Sequence, residues 1–163
     1  MEIRYINSLD DRNLISKIYE DSWRFSYKGI IPQDFLDKIP KGNWNKNFDI
    51  ADWKTVIFIL DGNYIGTSSF SKSRLEKYNE SAEVISIYFL PEYMGLGYGK
   101  RLLDFVVNEL KEKGYTEVFL WVLEENYRAR NFYEKYGFKL DSDFVEAKIA
   151  GKKLKEVRYV LKL

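Results

Sequence analysis

The chain of 163 residues contains no cysteine and no histidine. Without cysteine there are no disulfides, no thiolate zinc sites and no thiol nucleophile. Without histidine there is no Ser-His-Asp chemistry, no imidazole metal site and no imidazole base. Proton transfer is left to carboxylates, tyrosine, lysine or water. A large excess of one charge is also missing. The formal net charge is +1, which favours neither nucleic acid nor an anionic membrane surface. No apolar run approaches the ~20 residues of a membrane span. The opening stretch MEIRYINSLDD lacks the charged-then-apolar layout of a secretory signal. The expectation is a soluble, cytoplasmic protein.

Hydrophobic residues make up 45% of the chain and aromatics 17%, which suits one core without staples. Residues 1–163 therefore read as a single domain. Ile85–Leu90 is a short apolar run rich in β-branched and aromatic residues, the pattern of a buried strand, and Pro91 ends it. Gly95, Gly97 and Gly99 follow in one tight loop. Leu102, Leu103, Val106, Val107 and Leu110 then recur at helical spacing, with Lys100, Arg101, Asp104, Asn108 and Glu109 opposite. A strand feeding a glycine-rich turn that opens a helix suits a phosphate, because free amides and the helix dipole attract anions; an ordinary strand-to-helix turn is the alternative. Two phosphate motifs fail on spacing. A G-x-G-x-x-G fingerprint would need glycine at Lys100 or Leu102, and a P-loop would need glycine at Met94 and Ser or Thr at Arg101.

The stretch Pro91–Leu103 resembles the coenzyme A pyrophosphate loop of the GNAT superfamily of N-acetyltransferases, usually Gln/Arg-x-x-Gly-x-Gly/Ala after a strand. Met94 departs from it, standing where the family usually carries Gln or Arg. The resemblance implies that Met94, Gly95, Leu96, Gly97, Tyr98, Gly99 and Lys100 form the cofactor loop, chiefly through backbone. A second stretch, Leu120–Phe138, resembles the family's Asn-x-x-Ala-x-x-Phe-Tyr-x-x-x-Gly-Phe, matched by Asn126, Ala129, Phe132, Tyr133, Gly137 and Phe138.

The remaining chain fits that family's layout. Glu2–Ile6 reads as a strand, and Asn7 or Ser8 as the cap of a helix with Asp10 and Asp11 in its first turn. Short helices are expected over Gln33–Ile39 and Asn43–Ala51. Thr55–Leu60 and Tyr64–Phe70 are strands joined at Asp61-Gly62-Asn63. Glu117–Val122 is a strand, Asn126–Tyr136 a helix, and Phe138–Ile149 with Lys153–Leu161 a hairpin around Ala150-Gly151. A strand, crossover helix and strand favour one parallel pair. The expected fold is α/β, of the GNAT type: a mixed, mostly antiparallel sheet with one parallel pair, flanked by helices.

The resemblance also implies roles. Tyr133 would donate a proton to the leaving thiolate, and Asn126 would bond the pantetheine arm; seven positions apart, they lie nearly on one helix face. Packing for Tyr133 and helix capping for Asn126 are the bland alternatives. Backbone at Ile87, Tyr88 and Phe89 would pair with pantetheine, and the Phe89 amide would polarise the thioester carbonyl. Glu83, on a two-residue period with Ile85, Ile87 and Phe89, is the expected general base and amine contact; its alternative is a solvated residue at a strand start. Trp23, Phe25 and Tyr27 lie in the region that walls the acceptor site in this superfamily, where aromatic core is the rival reading. Acidic Glu20, Asp21, Asp34 and Asp37 are candidates for attracting a polyamine. The implied activity is acetyl transfer from acetyl-CoA, without a metal, to a small polyamine-like or amino-acid-like amine. A protein N-terminus or lysine, or a non-catalytic acyl-CoA sensor, stays open, as does a homodimer.

Overall fold

The computed structural model describes residues 1–163. Its framework is one seven-stranded sheet in the order β1-β2-β3-β4-β5-β7-β6. The strands are β1 (Glu2–Tyr5), β2 (Lys54–Leu60), β3 (Asn63–Lys72), β4 (Ala82–Phe89), β5 (Glu117–Leu123), β6 (Lys139–Ile149) and β7 (Lys152–Lys162). The helices are α1 (Arg12–Ser26), α2 (Gln33–Asp37), α3 (Tyr98–Glu112) and α4 (Tyr127–Tyr136). Short 3₁₀ turns occupy Asn45–Asp49, Glu76–Tyr78 and Pro91–Tyr93. Only β4 and β5 run parallel. This is the α/β layout expected from the sequence. No helix is long and apolar enough to cross a membrane.

Both faces of the sheet are covered, and the strand alternation shows how. On β2, Val56 and Phe58 join the core under α3 and α4, with Leu102, Leu103, Val106, Leu110 and Phe138. Ile57, between them, points to the opposite face and packs with Ile15 and Tyr19 of α1. All three β2 residues are fully buried. A strand with helices on both sides loses its polar alternation for this reason.

The two hairpins close as the turn chemistry predicts. Asp61 and Gly62 both have positive φ, 49° and 81°, and join β2 to β3 through a two-residue loop. Such paired left-handed residues match the twist of the flanking strands.

Two local expectations need correction. The first concerns the start of α1: its cap is Asp11, whose carboxylate accepts the amides of Asn13 and Leu14 at 2.9 and 3.2 Å. Asn7 and Ser8 precede the helix in a turn, and Asp10 is not in its first turn. The Asp10 carboxylate instead binds Arg4 at 2.7 and 2.9 Å, the Asn7 amide at 2.7 Å and the Tyr64 hydroxyl at 2.8 Å. A guanidinium partner outweighs a neutral amide cap, because charge-assisted hydrogen bonds are roughly twice as strong.

The second concerns β4. Ser69 of β3 pairs with Ser86, but the next residue, Phe70, pairs with Val84, so Ile85 has no partner. This bulge reverses the inside-outside alternation beyond it. Glu83 therefore does not share a face with Ile87 and Phe89. Those two pack with Val84 toward α3, while Ser86 and Tyr88 meet Tyr19 of α1.

Candidate active site

The bulge adjoins the opening of the main cleft. β4 and β5 pair only at Ala82–Val118 and Glu83–Phe119. Beyond these positions the strands have no ladder between them, and a cleft of about 530 Å³ runs between Val84–Phe89 and Leu120–Leu123. The Leu90 amide donates back to Ile65 at 2.9 Å. Strand alternation then turns the Phe89 and Ile87 amides the other way, toward the gap.

One end of the cleft is the loop before α3. Gly95 and Gly97 have φ of 79° and 85°, a conformation that other residues adopt only with strain. The amides of Gly95, Leu96, Gly97, Tyr98, Gly99 and Lys100 donate to no protein acceptor. They form a concavity of free N–H donors at the positive end of a helix, an arrangement suited to an anion. Met94, Gly95, Gly97, Gly99 and Lys100 line the cleft here. The Leu96 and Tyr98 side chains do not: Leu96 is exposed, and Tyr98 packs edge-on against Phe58, with centroids 5.4 Å apart. These two residues offer the loop backbone only. Lys100 is tied to Asp104 at 2.8 Å. Arg128 of α4 lies over the Phe25 ring at 5.4 Å and lines the same end.

Along the cleft wall stand Asn126 and Tyr133. Asn126 caps α4, its side-chain oxygen accepting the Ala129 amide at 3.3 Å. The cap leaves its NH₂ donors unused. Tyr133 is buried to 8% exposure, yet its hydroxyl bonds to no protein group. Burial, with a smaller push from Tyr88, raises the phenol above its ordinary value, so it stays protonated.

The other end opens on the α1 face. Trp23 and Tyr27 meet edge-to-face at 4.9 Å, and both line the cleft with Ser22, Ser26 and Ile31. The Trp23 indole N–H is buried without a partner. Burial pushes the Tyr27 phenol up to about 12. From β7, Glu156 completes this end.

Comparison with known proteins settles the family. Residues 15–138 match the model of the Acetyltransferase (GNAT) family. The chain belongs to the GNAT family of acetyltransferases. It is 34% identical over 152 residues to the uncharacterized N-acetyltransferase YuaI of Bacillus subtilis, covering 91% of this chain and 86% of that one. It is 26% identical over 156 residues to spermidine N(1)-acetyltransferase of Thermoplasma acidophilum, covering 91% and 96%. Among solved structures, PaiA N-acetyltransferase from Thermoplasma acidophilum in complex with coenzyme A superposes over 100% of both chains. The TM-score is 0.76 at 22% identity, a likeness of fold. As a GNAT member the chain is an acyltransferase.

Set on this GNAT fold, most of the expected site residues meet in one cleft: Trp23, Tyr27, Ile87, Tyr88, Phe89, Met94, Gly95, Gly97, Gly99, Lys100, Asn126 and Tyr133 all line it. Leu96 and Tyr98 do not, and neither does Glu83. It is 1% exposed and absent from the lining, and Arg74 holds both its carboxylate oxygens, at 2.6 and 3.1 Å. Expected as base and amine contact, it lies outside the cleft as the inner half of an ion pair. The acidic residues expected to draw in a polyamine do not line the cleft either. Glu20 is buried against Ser16 and the Gly42 amide, Asp21 pairs with Lys17 and Arg24, and Asp37 accepts from Gln33. Sequence reading missed Arg128, which occupies a variable position inside the second motif, and Glu156, whose surroundings KKLKEVRYV look like a solvated strand.

Proposed function

We propose that this chain transfers the acetyl group of acetyl-CoA to the primary amine of a small molecule, polyamine-like or amino-acid-like, by direct attack while both substrates are bound. One observation carries the reading: a single cleft is lined by the free-amide loop, the unbonded hydroxyl of a buried tyrosine and an aromatic end with a carboxylate. The whole of 1–163 acts as one catalytic domain.

The residues present suit the coenzyme. The free amides of Gly95 to Lys100 would hold its pyrophosphate, with Arg128 supplying a cation at the same end. Pantetheine would lie along the β4 edge, taking the Ile87 and Phe89 amides as an added strand takes ladder bonds, with Asn126 donating from its free NH₂. Bound there, acetyl-CoA supplies a thioester open to attack by an amine.

The chain's own groups do the rest. Aimed at the gap, the Phe89 N–H polarises the acyl oxygen. The Tyr133 hydroxyl donates its proton at the departing sulfur, and its raised proton affinity keeps that proton in place at neutral pH. No cysteine exists to carry an acyl group covalently, which favours direct transfer. Ser22 and Trp23 wall the side from which the amine enters.

The test is thiol release from acetyl-CoA with a panel of small amines, amino acids and peptides. Turnover on small amines is expected. Turnover on peptide N-termini or lysines alone would move the acceptor to a protein. Coenzyme binding without turnover on any member would make the chain an acyl-CoA sensor.

A further inference from the structure

Glu156 is the one carboxylate that lines the cleft. On β7 it stands opposite Leu123 of β5 and Val145 of β6. Paired residues project to one side of a sheet. Leu123, together with Leu154 two residues back on β7, packs against Ile31 and Leu36 on the α1–α2 side. Glu156 thus enters the cleft at the end walled by Trp23 and Tyr27.

The charges around it are already committed. Arg74, from the β3–β4 connection, is held at two points by Glu83 of β4. On β7 itself, Arg158 is bonded to Asp141 of β6 at 2.9 Å and to Glu117 of β5 at 3.4 Å, between the rings of Tyr78 and Phe119. Lys152 donates to the Ile30 carbonyl at 2.7 Å. Asp143 of β6 is occupied by Lys77 and Tyr78. From α1 comes Tyr27, which is neutral. The α2 side is apolar, through Ile31 and Leu36. Glu156 is left with no hydrogen bond and no ion pair, acting on its neighbours only through charge.

We infer that Glu156, which lines the cleft at the Trp23 and Tyr27 end, receives the ammonium of the acceptor and takes its proton. The inference rests on the acetyl-transfer reading above. An alkyl ammonium holds its proton up to about pH 10 and cannot attack until it loses it. That first proton passes from nitrogen to the Glu156 carboxylate and on to solvent. As the N–C bond forms and the C–S bond breaks, Tyr133 protonates sulfur, and the second proton released by nitrogen restores the phenol. Overall, ammonium and thioester become amide, thiol and one free proton. Burial raises the Glu156 carboxyl above its ordinary value; Arg74 opposes this and Glu83 reinforces it. A carboxylate shifted toward neutrality is the better base.

The experiment compares wild type, Glu156→Gln, Glu156→Asp and Glu83→Gln. It measures kcat/KM against pH with the best small amine of the panel, and melting shifts with acetyl-CoA and with butylamine. Glu156→Gln should lose ~10²-fold or more in kcat/KM and its acidic limb, while the coenzyme-induced shift is unchanged. Glu156→Asp should recover part of the loss. Glu83→Gln should stay active with its acidic limb moved to lower pH, because a raising charge is gone and Arg74 is freed. A wild-type profile in Glu156→Gln would overturn the inference, and so would loss of activity confined to Glu83→Gln. If wild type acetylates no small amine, the acceptor reading has failed. The butylamine shift then decides the matter: present in wild type and absent in Glu156→Gln supports the ammonium site, and no shift in wild type overturns it.

Discussion

Arg74 closes on the Glu83 carboxylate through two hydrogen bonds, 2.6 Å from Nη2 and 3.1 Å from Nε. Glu83 is 1% exposed while its partner lies half in solvent above the Trp53 ring. Removing the guanidinium would strand a buried charge, a defect that typically costs 3–5 kcal/mol. Since Arg74 is half exposed, Arg74→Ala is expected near the low end, about 3 kcal/mol. Arg74→Lys should recover only part, because an ammonium cannot make the fork. Urea unfolding at neutral pH measures this, and a midpoint unchanged in Arg74→Ala would show that the pair is dispensable.

The loop prediction concerns Gly97. Its φ of 85° lies in the left-handed region, although a Cβ there would meet no atom within 4 Å. Gly97→Val is therefore strained by backbone conformation rather than by crowding within the protein, at a cost of ~1–2 kcal/mol. The added side chain would stand where the free amides receive an anion. The variant should fold with a lower Tm and lose most of the melting shift induced by acetyl-CoA. A full shift in Gly97→Val would place the pyrophosphate elsewhere.

For Tyr133→Phe, the ring and its packing against Phe138, with centroids 5.7 Å apart, are retained and only the hydroxyl goes. That hydroxyl has no protein partner, so stability should change little. A fall in kcat of ~10²-fold is expected with coenzyme affinity intact, the pattern of a lost transition-state contact. Because burial raises this phenol, wild-type activity should persist as pH rises through the ordinary tyrosine value near ~10. Steady-state kinetics across pH tests both points. An unchanged kcat where chemistry is rate-limiting would remove Tyr133 from the reaction.

Asp10 carries a stability prediction with a pH sign. Arg4 is the largest influence, and it holds the Asp10 carboxyl well below the usual carboxylate range, with the Asn7 amide and Tyr64 helping and burial opposing. A depressed folded-state value means the stabilisation is complete above the unfolded value of ~3.9 and is lost as pH falls below it. Asp10→Asn should cost roughly 1.5–3 kcal/mol at neutral pH, the range for a hydrogen bond to a charged group. The gap between variant and wild type should narrow by pH ~3. Denaturation curves at the two pH values measure it, and a gap that widens in acid would contradict the pairing.

The stretches legible from residues alone are those whose structure is local. The strand, glycine turn and helix of Ile85–Leu110 follow from an apolar run, a proline stop and a helical period, and so do α4 and both hairpins. Loop and second motif sit at opposite edges of one gap because β4 and β5 are neighbours, as a strand–helix–strand unit requires. The acid–base residues of the acceptor end were not legible in this way. Which face Glu83 takes depends on register against β3, and the unpaired Ile85 inverts the alternation that a two-residue period assumes. Glu83 is withdrawn from the cleft by Arg74, in a connection whose composition reads as plain polar loop. Glu156 stands in a strand with charges on both faces. It lines the cleft because β7 pairs with β5 on the side away from β4, bringing distant residues to the mouth of a gap that exists only where two strands stop pairing. Local periodicity carries no record of such strand partnerships, and they decide which carboxylate meets the amine.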